Sequence, residues 1–73
     1  MNITVFSQPG CTPCARVKAW LNSKNVDFTE RNVQEDADAL DTILDLGYSG
    51  VPVIMAGDKH WSGIDLAKMK ELV

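Results

Sequence analysis

Two cysteines separated by two residues are the most chemically informative feature of this sequence. Cys11 and Cys14 enclose Thr12 and Pro13, and the 73-residue chain has no other cysteine. A disulfide between them closes a very small loop, so it stabilises a fold little through chain entropy. Secreted miniproteins held by disulfides usually carry four or more cysteines along the chain. The pair therefore indicates dithiol–disulfide chemistry, and we expect a reducing, cytoplasmic compartment.

The pair falls where a strand is predicted to end and a helix to begin. Unpaired N–H groups and the positive end of the dipole at a helix start stabilise an anion. Cys11 precedes this helix and should be the more acidic thiol, and the thiolate is the reactive form. Cys14 lies in the first turn and faces inward. We expect Cys11 to attack a target disulfide and Cys14 to resolve the mixed disulfide.

The residues alone leave two other uses of the pair open. A structural zinc site needs four ligands, and His60 is the only histidine, so we expect no metal. The cysteines could instead form a buried structural pair, but Pro9 and Gly10 beside them favour an exposed turn.

Hydrophobic patterning predicts the elements that position the pair. Strands are predicted over Asn2–Phe6, Val26–Val33, Val51–Met55 and Lys59–Trp61, and helices over Thr12–Lys24, Glu35–Leu46 and after Ser62–Asp65. The predicted apolar helix faces are Cys14, Val17, Trp20 and Leu21; then Ala37, Leu40, Ile43 and Leu44; then Leu66, Met69 and Val73.

The predicted order is β-α-β-α-β-β-α within one domain spanning residues 1–73. A helical crossover makes the first two strands parallel, and the short turn at Gly57 and Asp58 makes the last two antiparallel. We therefore expect an α/β fold, in which a four-stranded mixed sheet is flanked by three helices on both faces.

Composition excludes several classes of partner. The net charge is −3 and there is no run of Lys or Arg, so we expect neither nucleic acid nor an anionic membrane as a partner. No apolar stretch approaches the roughly 20 residues of a membrane-spanning helix. We expect a monomer without a secretory signal.

The strand, the Cys11–Cys14 motif, the helix and the later Val51-Pro52 pair together resemble the glutaredoxin and thioredoxin-fold proteins, over essentially the whole chain. The resemblance implies a thiol–disulfide oxidoreductase in which Pro52 is cis and lies against the disulfide. A proline here leaves the backbone of Val51 free to pair with a substrate. The alternative is an ordinary edge-strand or turn proline.

The segment Trp61-Ser62-Gly63 is similar to that of the NrdH-redoxin branch. This resemblance implies electrons taken from NADPH through thioredoxin reductase and passed to a class Ib ribonucleotide reductase, with no bound cofactor. It also places the segment near Cys11 and Pro52, where Trp61 would offer a flat contact to a partner. The alternatives are a core aromatic at Trp61 and a helix cap at Ser62.

Two departures from the family pattern concern specificity. Thr12 and Pro13 differ from the Val-Gln or Met-Gln pair of that branch. Because these residues tune the reduction potential, the resemblance does not imply a value for it. Gln8 replaces the Lys or Arg that helps glutaredoxins to hold glutathione, and Ser62–Leu66 retains only part of a second glutathione-binding stretch. A glutathione-dependent glutaredoxin, an iron–sulfur module ligated by Cys11 and a redox sensor without turnover remain alternatives.

Three other side chains are candidates for a role. Arg16 and Lys18 follow Cys14 on the first helix, where a cation could make Cys11 more acidic or could simply be solvated. His60 has no obvious partner in the sequence and is expected on the surface of a strand.

Overall fold

The computed structural model describes residues 2–73, and its elements follow the predicted order. The strands are β1 (Ile3–Ser7), β2 (Thr29–Asn32), β3 (Val53–Ala56) and β4 (Lys59–Ser62), and the helices are α1 (Thr12–Ser23), α2 (Ala37–Asp45) and α3 (Leu66–Met69). A short 3₁₀ helix, Lys70–Leu72, follows α3. The sheet order is β2-β1-β3-β4, in which only the β1–β2 pair is parallel. The predicted α/β class and mixed four-stranded sheet are confirmed.

Alternate residues of the central strands point to opposite faces of the sheet, so the protein has two core clusters. One contains strand residues, α1 residues and one α3 residue: Ile3, Val5, Val17, Leu21, Ile54, Ala56, Trp61 and Met69. The other contains Phe6, Val33, Ala39, Ile43 and Val53. Helices α1 and α3 therefore cover one face of the sheet, and α2 covers the other.

Helix α1 begins and ends where its terminal residues dictate. Cys11 is the N-cap and Pro13 lies in the first turn, where a missing N–H breaks no helical hydrogen bond. The helix ends at Ser23, and Asn25 adopts a φ of 57°, a left-handed conformation that Asn tolerates better than most residues. The predicted apolar face is buried at Cys14, Val17 and Leu21. Trp20, which was predicted with them, is half-buried.

The predicted apolar face of α2 is partly wrong. Ala39 and Ile43 are buried, whereas Leu40 is 39% exposed and Leu44 is 51% exposed; Ala37 is also exposed. A nine-residue helix contacts the sheet along one line of residues four apart, and Leu40 and Leu44 lie about 100° further round the axis. The helix starts at Ala37 rather than Glu35 because the side chain of Asp36 caps it.

The cap of α2 is held by charge as well as by hydrogen bonds. Asp36 accepts a hydrogen bond from Ala39 N–H and pairs with the guanidinium of Arg31 at 3.0 Å. The Ala39 N–H and then Arg31 hold the pKa of Asp36 below its ordinary value. Asp36 thus lies just outside the helix as its N-cap, and Asp38 places a second carboxylate within the first turn.

Three further boundaries differ from the prediction. Strand β2 is limited to the four residues that pair with Thr4–Ser7 of β1, and Val26 and Phe28 pack against the core before it begins. Strand β3 starts at Val53, and β4 extends to Ser62. In the last helix only Met69 is buried; Leu66 is 49% exposed and Val73 is 64% exposed, because the α-helix has only four residues before the chain tightens into the 3₁₀ turn.

Candidate redox site

Cys11 and Cys14 form a disulfide in the turn that joins β1 to α1. Their Cα atoms are 5.2 Å apart, a normal separation for bridged cysteines. Gly10, just before the pair, has a φ of 75°, which a residue without Cβ adopts at no steric cost. The side chains of Thr12 and Pro13 between the cysteines are exposed.

The two sulfur atoms differ in environment. Cys11 is partly exposed, whereas Cys14 is 1% exposed and belongs to the buried face of α1. The backbone N–H of Cys14 donates to Sγ of Cys11 over 3.2 Å, so the sulfur of Cys11 occupies the helix-capping position. A negative charge on this sulfur would be stabilised by that N–H and by the helix dipole. A solvent molecule or an incoming disulfide reaches Cys11 and not Cys14.

Pro52 lies at the same end of the sheet as the cysteine pair. The Val51–Pro52 peptide bond is cis, and β3 then pairs Val53 with Phe6 of β1. Since β1 runs on into the cysteine turn and β3 starts after Pro52, both segments lie at the same end of the sheet. The buried position of Pro52 agrees with a structural role at this end.

The segment after β4 is tied to this end of the sheet by a backbone hydrogen bond. Gly63 N–H donates to the carbonyl of Pro52 over 2.9 Å, and Gly63 has a φ of 78°. Ser62 pairs with Val53 across the sheet and its side chain is exposed. The sheet thus brings the cysteine turn, the cis-proline segment and Ser62-Gly63 to one end of the molecule.

Val51 keeps its backbone groups available. Within residues 2–73, no hydrogen bond involves its N–H or C=O, and its side chain packs against the second core cluster. An extended peptide could pair with these groups as an added strand does.

Trp61 does not offer the expected contact to a partner. The residue is 4% exposed and packs in the core cluster shared with α1 and α3. The ring is buried because Trp61 pairs with Ile54 across the sheet, and both side chains point to the face that α1 and α3 cover. Its indole Nε1 is buried without a hydrogen-bond partner in the described part of the chain.

Next to the cysteine turn lies a polar network that sequence analysis did not identify. Oε2 of Glu30 on β2 accepts hydrogen bonds from Ser7 Oγ at 2.7 Å and from Lys18 Nζ at 2.6 Å. Lys18 and then Ser7 hold the pKa of Glu30 below its usual 4.5. The spacing of Lys18, seven residues after Cys11, signals a shared helix face, but only the β1–β2 pairing brings Glu30 there.

His60 has a partner, contrary to expectation. Its Nδ1 lies 2.7 Å from the hydroxyl of Tyr48, and the rings meet edge to face. His60 is exposed on β4 as predicted. Across residues 2–73, no group of three or more His, Cys, Asp or Glu side chains is placed to hold a metal ion. Over the same residues, no helix has the length and apolar character to span a membrane.

Comparisons with known proteins show the family of this chain. Residues 3–61 match the glutaredoxin family. The glutaredoxin-like protein NrdH of Salmonella typhimurium is 38% identical over 63 residues, which cover 86% of this chain and 78% of that protein. The NrdH protein of Lactococcus lactis subsp. cremoris is 30% identical over 70 residues, or 96% of this chain and 97% of that one.

A solved structure shows the same likeness in three dimensions. NrdH-redoxin from Escherichia coli, a glutaredoxin-like protein described as having a thioredoxin-like activity profile, superposes with a TM-score of 0.94 and 29% identity. The superposition covers 100% of this chain and 96% of that structure. With the cysteine pair at the start of α1 and the cis-proline at the same end of the sheet, the chain belongs to the glutaredoxin family, among its NrdH-like thiol–disulfide oxidoreductases.

Proposed function

We propose that this protein is an electron carrier that reduces protein disulfides, a class Ib ribonucleotide reductase among them, and that thioredoxin reductase recycles it with electrons from NADPH. The observation that carries the proposal is the unequal cysteine pair, in which Sγ of Cys11 is accessible at the helix cap and Cys14 is buried behind it. The similarity to NrdH proteins favours this acceptor and this reductase.

The reaction has two steps. In the reduced protein the thiolate of Cys11 attacks one sulfur of the target disulfide, forms a mixed disulfide and expels the other target sulfur as a thiolate, which takes up a proton. Cys14 then loses its proton and attacks Sγ of Cys11. The target leaves as a dithiol, and the Cys11–Cys14 disulfide carries the two-electron oxidation. Val51 aligns the target segment through its backbone N–H and C=O.

The choice of thioredoxin reductase over glutathione is supported by two side chains. Gln8, three residues before Cys11, is neutral and exposed, so it offers no cation to a glutathione carboxylate. Asp65, the acidic residue that matches the other glutathione-binding stretch, caps α3 by accepting from Lys68 N–H at 3.2 Å. Because this carboxylate already caps the helix, it is less available to bind glutathione. We place the reaction in the cytoplasm, where the pair is readily kept reduced.

A reductase-preference assay tests the proposal. The oxidised protein is mixed with NADPH and thioredoxin reductase, or with NADPH, glutathione and glutathione reductase, and NADPH consumption is followed with a disulfide-bearing protein as acceptor. We expect turnover with thioredoxin reductase and little with glutathione. Turnover in the glutathione system alone would assign the protein to the glutathione-dependent glutaredoxins instead.

A trapping experiment tests the order of the two cysteines. Cys14→Ser should accumulate a mixed disulfide between Cys11 and the acceptor, because the resolving thiol is missing. The matched variant Cys11→Ser should trap nothing, since Cys14 is buried. Ribonucleotide reductase of class Ib, presented as the oxidised enzyme, is the first acceptor to try, and its reduction is read as deoxyribonucleotide formed.

A further inference from the structure

An open groove of about 380 Å³ runs from Cys11 along one side of α1. Its lining includes Gln8 of the cysteine turn and three residues of one face of the helix region, Cys11, Ala15 and Lys18. Apart from the cysteine, Lys18 is the only ionisable side chain in the lining. The groove therefore pairs the reactive sulfur with a single cation.

The ammonium of Lys18 is held in place rather than left to move freely. Its Nζ donates to Oε2 of Glu30, which is itself fixed by Ser7 Oγ, and Ser7 is 2% exposed. A lysine ammonium has three N–H donors, and within the described residues this is the one hydrogen bond that Lys18 Nζ makes. The side chain is 31% exposed and lines the groove, so a ligand in the groove can approach it.

We propose that Lys18 is an acceptor-specificity residue, which binds a carboxylate on the protein segment that carries the target disulfide. This inference rests on the proposed function and adds the chemical character of the acceptor. Residues 2–26 contain no Asp or Glu, so Glu30 is the one carboxylate that the structure places at this ammonium. An acidic side chain of the acceptor binds there without displacing Glu30.

The helix geometry sets where the carboxylate must stand. Seven residues of α-helix advance about 10 Å along the axis, and the side chain of a helical residue points back toward the N-terminus. An extended segment covers about 3.3 Å per residue. The backward tilt of the side chain shortens the distance along the axis to less than about 10 Å, which two or three residues of an extended peptide span. The acidic residue should therefore lie about two or three positions from the cysteine that Cys11 attacks.

Peptides containing one disulfide test the assignment with the full-length protein and thioredoxin reductase. One set carries a single Asp at successive positions on either side of the attacked cysteine, and a matched set carries Asn there. The variants are Lys18→Gln, Lys18→Arg and, as a control, Lys24→Gln, which removes the same charge from the end of α1, where Lys24 lies 5.9 Å from the Trp20 ring centroid.

For the wild type we expect KM to be about threefold to fivefold lower for the best Asp peptide than for its Asn counterpart, in line with a partly exposed ion pair. Lys18→Gln should abolish this ratio, while Lys18→Arg and Lys24→Gln should keep it. If Lys18 were merely structural, Lys18→Gln would raise KM for the Asp and Asn peptides equally and leave their ratio unchanged. That result would overturn the proposal. Equal KM values of the wild-type protein for the Asp and Asn peptides would also overturn it. In that case, reduction of the Asn peptides would still support the proposed function.

Discussion

The first prediction concerns the reactivity of the two thiols in the reduced protein. We expect iodoacetamide to modify Cys11 about tenfold faster than Cys14 near neutral pH, the magnitude being set by the helix-terminus and hydrogen-bond contributions. The variants Cys14→Ser and Cys11→Ser each remove one of the two thiols. Each variant then presents a single sulfur in its own environment.

The magnitude follows from the position of each sulfur. Sγ of Cys11 accepts the N–H of Cys14 at 3.2 Å, and a hydrogen bond to a charged acceptor contributes about 1.5–3 kcal/mol. The helix terminus adds about 0.3–1 kcal/mol. Sulfur is a weak acceptor, so we take about 1.4 kcal/mol in all, which is about tenfold in thiolate population.

Two further effects act in opposite directions. A more acidic thiol is a weaker nucleophile, with a Brønsted coefficient of about 0.4–0.5, which reduces the tenfold gain to about threefold. Burial then disfavours Cys14, which is 1% exposed, whereas Cys11 is open to the groove beside it. A further factor of about three from access restores the tenfold difference overall.

The rates are measured by mass spectrometry of samples quenched at intervals, after full reduction and removal of the reductant. Circular dichroism first confirms that both variants are folded, since Ser in place of the buried cysteine could loosen α1. Equal rates in the two folded variants, or faster modification of Cys14, would refute the reasoning from helix capping and burial.

Two predictions concern stability. Ile43→Ala should lower the free energy of unfolding by about 3 kcal/mol, because it leaves a cavity beside the sheet, whereas Leu44→Ala, at a side chain that is 51% exposed, should change it by less than about 1 kcal/mol; urea unfolding measures both, and similar losses would contradict the orientation of α2. Glu30→Gln should cost about 0.5 kcal/mol near neutral pH, since the ion pair with Lys18 is partly exposed. The pKa of Glu30 is lowered on folding, so this contribution is complete above its usual 4.5 and disappears as the pH falls through the lower folded value; a difference that persists in stronger acid would argue against the ion pair.

The local sequence determines the chemistry of this protein. The spacing of Cys11 and Cys14, with Pro13 between them, is enough to place both at the start of a helix, because capping and proline preferences act over a few residues. The period of the apolar residues likewise determines the order of the strands and helices. The lengths of the connections make β1 and β2 parallel and β3 and β4 antiparallel.

Tertiary structure decides what depends on residues far apart in the chain. The α2 pattern contains four apolar residues, but the sheet has room for only one line of them, so Ile43 is buried and Leu44 is not. The same holds for Trp61, whose strand register turns the ring into the core. The bond between Lys18 and Glu30 needs β2 to lie beside β1, and no local pattern encodes a contact between residues on separate elements.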